Sequence, residues 1–132
     1  MKFEDYPLLI KLWKDTPGIG VTSSDREEKI KQFLKKNNKT CFVALDDITI
    51  IGTVLCGNDC RRGYIYHLVV KDEYRKNGIA TKLIDLCFQG MQQFKIEKCH
   101  LFVFKTNVDA IDYYIKTKWQ RRDDLVVFTK NL

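Results

Sequence analysis

The apolar positions along the chain change period several times, and each change marks an element. From Asp5 to Lys14, Tyr6, Leu9, Ile10 and Trp13 recur three and four residues apart, the spacing of one helix face. Pro17-Gly18-Ile19-Gly20 breaks that run. Asp25, with Glu28 three residues on, reads as the capping box of a second helix. Its buried stripe is Ile30, Phe33 and Leu34, and it runs out in Lys35-Lys36-Asn37-Asn38, basic residues where the helix dipole favours them. A meander follows: strands over Thr40 to Leu45, Ile48 to Cys56 and Gly63 to Val70, with turns at Asp46-Asp47 and from Gly57-Asn58-Asp59. Helical spacing returns from Gly78, with Ile79, Leu83, Leu86, Cys87, Met91 and Phe94 on one face. Cys99 to Phe104 reads as a strand, and Asn107 starts a helix carrying Ala110, Ile111, Tyr114 and Ile115. Trp119 to Arg122 and Leu125 to Thr129 read as a last hairpin around Asp123-Asp124. The predicted order is α-α-β-β-β-α-β-α-β-β, an α/β chain with a mixed sheet and helices on it. It reads as one domain over residues 1–132.

Composition narrows the picture only a little. Hydrophobic residues at 45% and charged residues at 30% indicate a folded chain rather than a disordered one. The net charge of +6 suits an anionic ligand, and equally nucleic acid or an acidic surface. No helix-turn-helix or RNA-binding signature supports a nucleic-acid binder. The cysteines Cys41, Cys56, Cys60, Cys87 and Cys99 are odd in number and follow no disulfide or zinc spacing, so no metal site is expected. Free thiols and the lack of an apolar leader point to a reducing, cytoplasmic setting.

The chemistry gathers in one stretch, Leu68-Val69-Val70-Lys71-Asp72-Glu73-Tyr74-Arg75-Lys76-Asn77-Gly78-Ile79-Ala80-Thr81-Lys82-Leu83. A strand ends at Val70, a polar loop follows, and a helix opens near Gly78. The first N–H groups of a helix have no partner within it and carry partial positive charge, so they suit a phosphate. Gly78 lets a ligand approach the backbone, and Arg75, Lys76 and Lys82 add charge. Neither a P-loop nor a dinucleotide-binding glycine fingerprint is present.

Arg75-x-x-Gly78-x-Ala80 resembles the acyl-CoA pyrophosphate motif of the GNAT family of N-acetyltransferases. Downstream, Asn107-x-x-Ala110-Ile111-x-x-Tyr114-x-x-x-Lys118-Trp119 resembles the segment after that family's fifth strand. Gly52-Thr53-Val54 and Tyr64-Ile65-Tyr66-His67-Leu68-Val69-Val70 look like its third and fourth strands, so the resemblance covers nearly the whole chain. Three departures stand out. Met1-Lys2-Phe3 leaves almost no room for the family's first strand, so the strand is lost or the true start lies upstream. Lys118 replaces the usual glycine after the last helix. No carboxylate occupies the positions where relatives often carry a general base; Tyr64, Tyr66 and Phe102 stand there instead.

The resemblance implies a GNAT-type fold, acetyl-CoA as the donor and a primary amine of a small molecule or a protein as the acceptor. Leu68, Val69 and Val70 would pair with the pantetheine arm, the fourth and fifth strands splaying to admit it. The N–H of Val70 would meet the oxyanion. Lys76, Asn77, Gly78, Ile79, Ala80 and Thr81 would bind the pyrophosphate, with Arg75 adding charge. Asn107 would hydrogen-bond the cofactor arm, and Tyr114 would protonate the leaving thiolate.

The bland readings stand beside these. Tyr114 is otherwise a core tyrosine, with Tyr113 next to it, and Asn107 a helix cap. Tyr64, Tyr66 and Phe102 line an acceptor pocket or fill the core. His67 alternates with Tyr66, so it is expected on the opposite sheet face as a structural histidine with a partner. A non-catalytic acyl-CoA-binding module of the same fold is the alternative function, and a homodimer is compatible with either.

Overall fold

Leu9 and Trp13, four residues apart, are both fully buried, and they fix the first helix, α1 (Tyr6–Asp15). The computed structural model describes all 132 residues. The chain falls into two units, Met1–Phe102 and Val103–Leu132.

In the first unit a 3₁₀ turn at Phe3–Asp5 leads into α1, and a second at Ser23–Asp25 leads into α2 (Glu27–Asn37). No strand precedes α1; the Met1 ammonium donates to Cys41 O at 3.3 Å, next to the start of the sheet. Ile30 and Leu34 are buried as the stripe predicts, and Lys35 and Lys36 sit in the last turn of α2. The expected Asp25–Glu28 capping box does not form. Arg26 holds the N-cap position with no side-chain bond, while the Asp25 carboxylate accepts from Thr22 N at 2.7 Å and faces the sheet. Its other oxygen meets His67 Nε2 at 2.5 Å, so both carboxylate oxygens are engaged outside α2.

The sheet runs β1 (Phe42–Asp46), β2 (Thr49–Asn58), β3 (Gly63–Val70) and β4 (Cys99–Leu101), in that spatial order. The first three pair antiparallel and β4 lies parallel to β3, reached through α3 (Ile79–Gln92). β2 is buried on both faces, so it reads as a near-continuous apolar run. Gly52 approaches Leu83 of α3, whereas Thr53 bonds Trp13 of α1 and Gly57 approaches Phe33 of α2. The sheet is therefore sandwiched, with α3 on one face and α1 and α2 on the other.

Two features of β3 position the site. The register steps from Thr53↔Val69 to Leu55↔Tyr66, two residues on β2 against three on β3, which is a bulge. His67 lies within it with φ of 46°, a left-handed conformation rare for a side chain of this size. The second feature is the shortness of β4. It pairs only with Gly63 to Ile65 and ends at Leu101, not at Phe104 as the apolar run suggests. β3 beyond Ile65 therefore has an open edge on that side.

In the second unit, Asn107 Oδ1 accepts from Ala110 N at 3.2 Å and caps α4 (Val108–Lys116). Lys118 takes φ of 65°, and Trp119 N donates to Tyr114 O at 2.9 Å, closing the helix as a glycine ordinarily would. The expected hairpin over 119–122 and 125–129 is absent. Arg121 pairs with Asp123 and Arg122 with Asp124 in the turn, and Leu125 to Phe128 stay exposed. A lone hairpin is marginal in water, and this unit holds no strand for it to extend.

Candidate functional site

The open edge of β3 is the first part. Lys71 N donates to Ile51 O at 2.9 Å, across the pair Gly52↔Val70. In an antiparallel ladder that pattern makes Gly52↔Val70 a non-hydrogen-bonded pair, so the N–H and C=O of Val70 both point away from β2. On that side the Val70 carbonyl accepts from Arg75 Nε at 3.2 Å, while its N–H faces the open edge. Val69 and Val70 are buried and Leu68 half-buried.

The start of α3 is the second part. A 3₁₀ turn at Asp72–Tyr74 follows β3, pinned by Tyr74 Oη donating to Asp46 Oδ2 at 2.7 Å. Arg75 is held by Asp72 at 2.8 Å as well as by the Val70 carbonyl, so it serves the loop rather than standing free. Asn77 Nδ2 donates to the carbonyls of Tyr74 and Arg75. Lys76 and Gly78 are both left-handed, with φ of 63° and 75°. Gly78 is the N-cap, and Lys82 N donates to Gly78 O at 3.0 Å. The amides of Ile79 and Ala80 open the helix, at the positive end of the dipole. A Cβ built on Gly78 meets no atom within 4 Å. The turn thus presents backbone to open space, a cradle of the kind that takes a phosphate.

A cleft of about 790 Å³ forms the third part, between the loop before α2, α2 itself, and the β2–β3 hairpin. Asp25, Lys29, Phe33, Tyr64, Tyr66 and His67 are among its walls. Phe33 and Tyr66 meet edge to face at 6.1 Å. Phe102 does not line it: β4 has ended one residue earlier, and the ring is 66% exposed. His67 is the larger correction. The bulge breaks the alternation, so His67 lies on the same face as Tyr66 and not the opposite one. Its ring packs tilted against Trp13, with centroids 4.4 Å apart, and its Nε2 meets Asp25 Oδ1 at 2.5 Å. It has a partner, as expected of a half-buried histidine, but the partner is a carboxylate 42 residues away and the pair opens on the cleft. Sequence reasoning missed this pair, because no glycine signals the bulge and Asp25 reads locally as a cap.

In the second unit Tyr114 packs between Tyr113 at 5.2 Å and Trp119 at 5.5 Å. Burial, and then the neighbouring Tyr113, push its phenol well above the usual range.

A sequence model described as the Acetyltransferase (GNAT) family matches residues 6–117. An acetyltransferase of Sodalis glossinidius (strain morsitans) is 27% identical over 131 residues, spanning 99% of this chain and 92% of that protein. The structure of PaiA N-acetyltransferase from Thermoplasma acidophilum in complex with coenzyme A aligns with a TM-score of 0.80 at 21% identity, covering 93% of this chain and 88% of that one. A structure from Clostridium acetobutylicum described as a predicted acetyltransferase with acetyl-CoA aligns with a TM-score of 0.71 at 23% identity, covering 98% of this chain and 92% of that one. At these identities the two structures speak for the fold.

Proposed function

Because the chain belongs to the GNAT acetyltransferase family, we propose that it moves an acetyl group from acetyl-CoA to a primary amine by direct attack. The observation that carries this reading is the Val70 N–H, aimed at an open strand edge one loop before a left-handed glycine turn and a helix N-terminus. The relatives from Thermoplasma acidophilum and Clostridium acetobutylicum hold coenzyme A and acetyl-CoA, which supports the same donor here.

Acetyl-CoA, when bound, supplies a thioester carbonyl open to attack. Leu68 to Val70 offer their unpaired edge to the amide groups of the donor's arm. The Val70 N–H stabilises the negative charge that develops on the carbonyl oxygen. The backbone of Lys76 to Thr81, with the charge of Lys76, binds the pyrophosphate. Asn107, already the cap of α4, has further capacity on its side-chain amide for the donor's arm. Tyr114 protonates the departing sulfur. Its raised pKa means that the phenol keeps its proton beyond the ordinary titration near about pH 10. Tyr64 and Tyr66 line the space for the acceptor.

Thiol release from acetyl-CoA with a panel of primary amines tests the reading. Tyr114→Phe keeps the ring and removes the acid, so kcat should fall by roughly 10²–10⁴ while acetyl-CoA affinity stays put. Full kcat in Tyr114→Phe would remove the acid assignment. Tight acetyl-CoA binding without release to any amine would leave a binding module in place of an enzyme.

A further inference from the structure

His67 Nε2 and Asp25 Oδ1 form a hydrogen-bonded pair apart from the donor site. Asp25 is 7% exposed, and its second carboxylate oxygen is taken by Thr22 N at 2.7 Å. The Tyr6 hydroxyl donates to the Asp25 carbonyl at 2.9 Å, so the residue is fixed from α1 as well. The His67 carbonyl accepts from Thr53 Oγ1 at 2.9 Å, and Thr53 accepts from Trp13 Nε1 at 3.0 Å. A left-handed histidine is strained and persists only where its surroundings over-determine it. Every one of these bonds does so.

With Nε2 engaged by the carboxylate, Nδ1 is the ring nitrogen left to accept a proton. It has no partner in the protein, and it is not among the buried polar atoms cut off from one; that condition is met by Asn37 Oδ1 alone. An open imidazole nitrogen, backed by a buried carboxylate on a cleft wall, is the arrangement that steadies an imidazolium once it forms.

We propose that His67, oriented by Asp25, takes the proton of the acceptor ammonium in this cleft; this rests on the amine-transfer reading. The ammonium gives one proton to Nδ1 and becomes the free amine. The amine nitrogen then forms the C–N bond as the C–S bond breaks. The nitrogen's second surplus proton ends on the sulfur, and the imidazolium returns its own to water. Asp25 acts through His67 as a positioning residue. The other titratable groups around the pair are Tyr6 from α1, Lys29 and Lys36 from α2, Tyr64 and Tyr66 on β3, and Asp59 in the β2–β3 turn.

The test is steady-state acetyl transfer to a free α-amine peptide, a lysine peptide and a diamine, from about pH 6 to pH 10. His67→Gln should lose roughly 10²–10⁴ in kcat/KM near neutrality with acetyl-CoA affinity unchanged. The deficit should shrink as alkali supplies free amine. Asp25→Asn should move the acid limb of the profile to lower pH, since the imidazolium loses its counter-charge. Trifluoroethylamine, already neutral at neutral pH, should be acetylated equally by wild type and His67→Gln. His67→Asn, whose side chain tolerates left-handed backbone, guards against misfolding and should share the defect while melting close to wild type. A loss uniform across pH, or equal for trifluoroethylamine, makes the pair structural and overturns the proposal. No transfer to any amine by the wild-type protein overturns the underlying reading instead.

Discussion

Replacing Gly78 separates what the fold needs there from what a ligand needs. The residue has φ of 75°, and a Cβ would meet nothing within 4 Å. Alanine therefore clashes with no protein atom, and its cost is the left-handed backbone, about 1–2 kcal/mol. Glycine's extra entropy in the unfolded chain returns roughly 0.5–1 kcal/mol of that. The net loss, about 1 kcal/mol, lowers Tm by only a few degrees in a domain of this size. Asparagine enters the same region more easily and should cost less. The ligand sees a different change. A hydrogen bond from a backbone N–H to a charged oxygen is worth about 1.5–3 kcal/mol, and each 1.4 kcal/mol is about tenfold in affinity. Displacing one such bond therefore weakens CoA binding by roughly ten- to a hundredfold. The assay is calorimetric titration with CoA, paired with thermal melts, for Gly78→Ala, Gly78→Asn and Gly78→Val. Alanine and asparagine variants should melt within a few degrees of wild type yet bind CoA at least tenfold more weakly, and valine should bind worst. An asparagine variant with wild-type affinity would refute the reasoning, because the space above Gly78 would then not be the ligand's.

Gly90 makes the opposite case: a Cβ there would lie 2.7 Å from both Lys39 O and Thr40 Cγ2, so Gly90→Ala should destabilise by about 1–3 kcal/mol in urea melts despite its better helix propensity. A stabilised variant would show that α3 does not press on residues 39–40 as described. The thiols give a chemical check. Burial pushes Cys41 up to about 11; Cys56 is raised chiefly by its hydrogen bond with Cys87 and Cys99 chiefly by its bond with Cys56, with burial adding to both. A raised pKa leaves less thiolate at any given pH, so a disulfide reagent near pH 8 should find one fast thiol, the exposed Cys60, and all five only after denaturation. Two or more fast thiols in the native protein would contradict this burial.

The parts of the fold that sequence reading reached are those set by local spacing. The stripes Leu9–Trp13, Ile30–Leu34 and Leu83–Cys87–Met91 bury one helix face each, and burial alone makes that periodicity. The glycine turn before α3 was legible because a left-handed N-cap limits the residue type. The misses are all set by something distant in sequence. Asp25 carries every local mark of a cap, yet His67 decides its role. The segment Leu125 to Phe128 has strand composition, but a strand needs a ladder to join. β4 stops at Leu101 while its apolar run continues, because pairing with β3 ends at Ile65. His67 sits in a bulge with no glycine to announce it, since the extra residue is counted against β2 rather than within β3.

That bulge connects the two sides of the proposed chemistry. The pair Asn58↔Gly63 is non-hydrogen-bonded, as Asp59 N donating to Arg62 O shows, and so Gly63 turns its N–H outward, to Lys98 O. Alternation from Gly63 would point the amides of Gly63, Ile65 and every second residue outward, and those of Tyr64 and Tyr66 toward β2. Continued without interruption, the same count would aim the Val70 N–H at β2, where it would be consumed by the ladder. It would also turn Val69 toward α3 and Val70 toward α1 and α2, since a one-residue slip exchanges the faces. The extra residue at His67 reverses the count. Val70 then packs beside Gly52 on the α3 face, and its N–H emerges at the edge that β4 leaves open. The same residue swings the imidazole onto the face of Tyr66 and into reach of Asp25. The strain at His67 therefore supports two outcomes at once: a free backbone donor on the donor side and a carboxylate-backed imidazole on the acceptor side. The network through Thr53, Trp13 and Asp25 holds that single conformation, so the two groups are set by one piece of backbone.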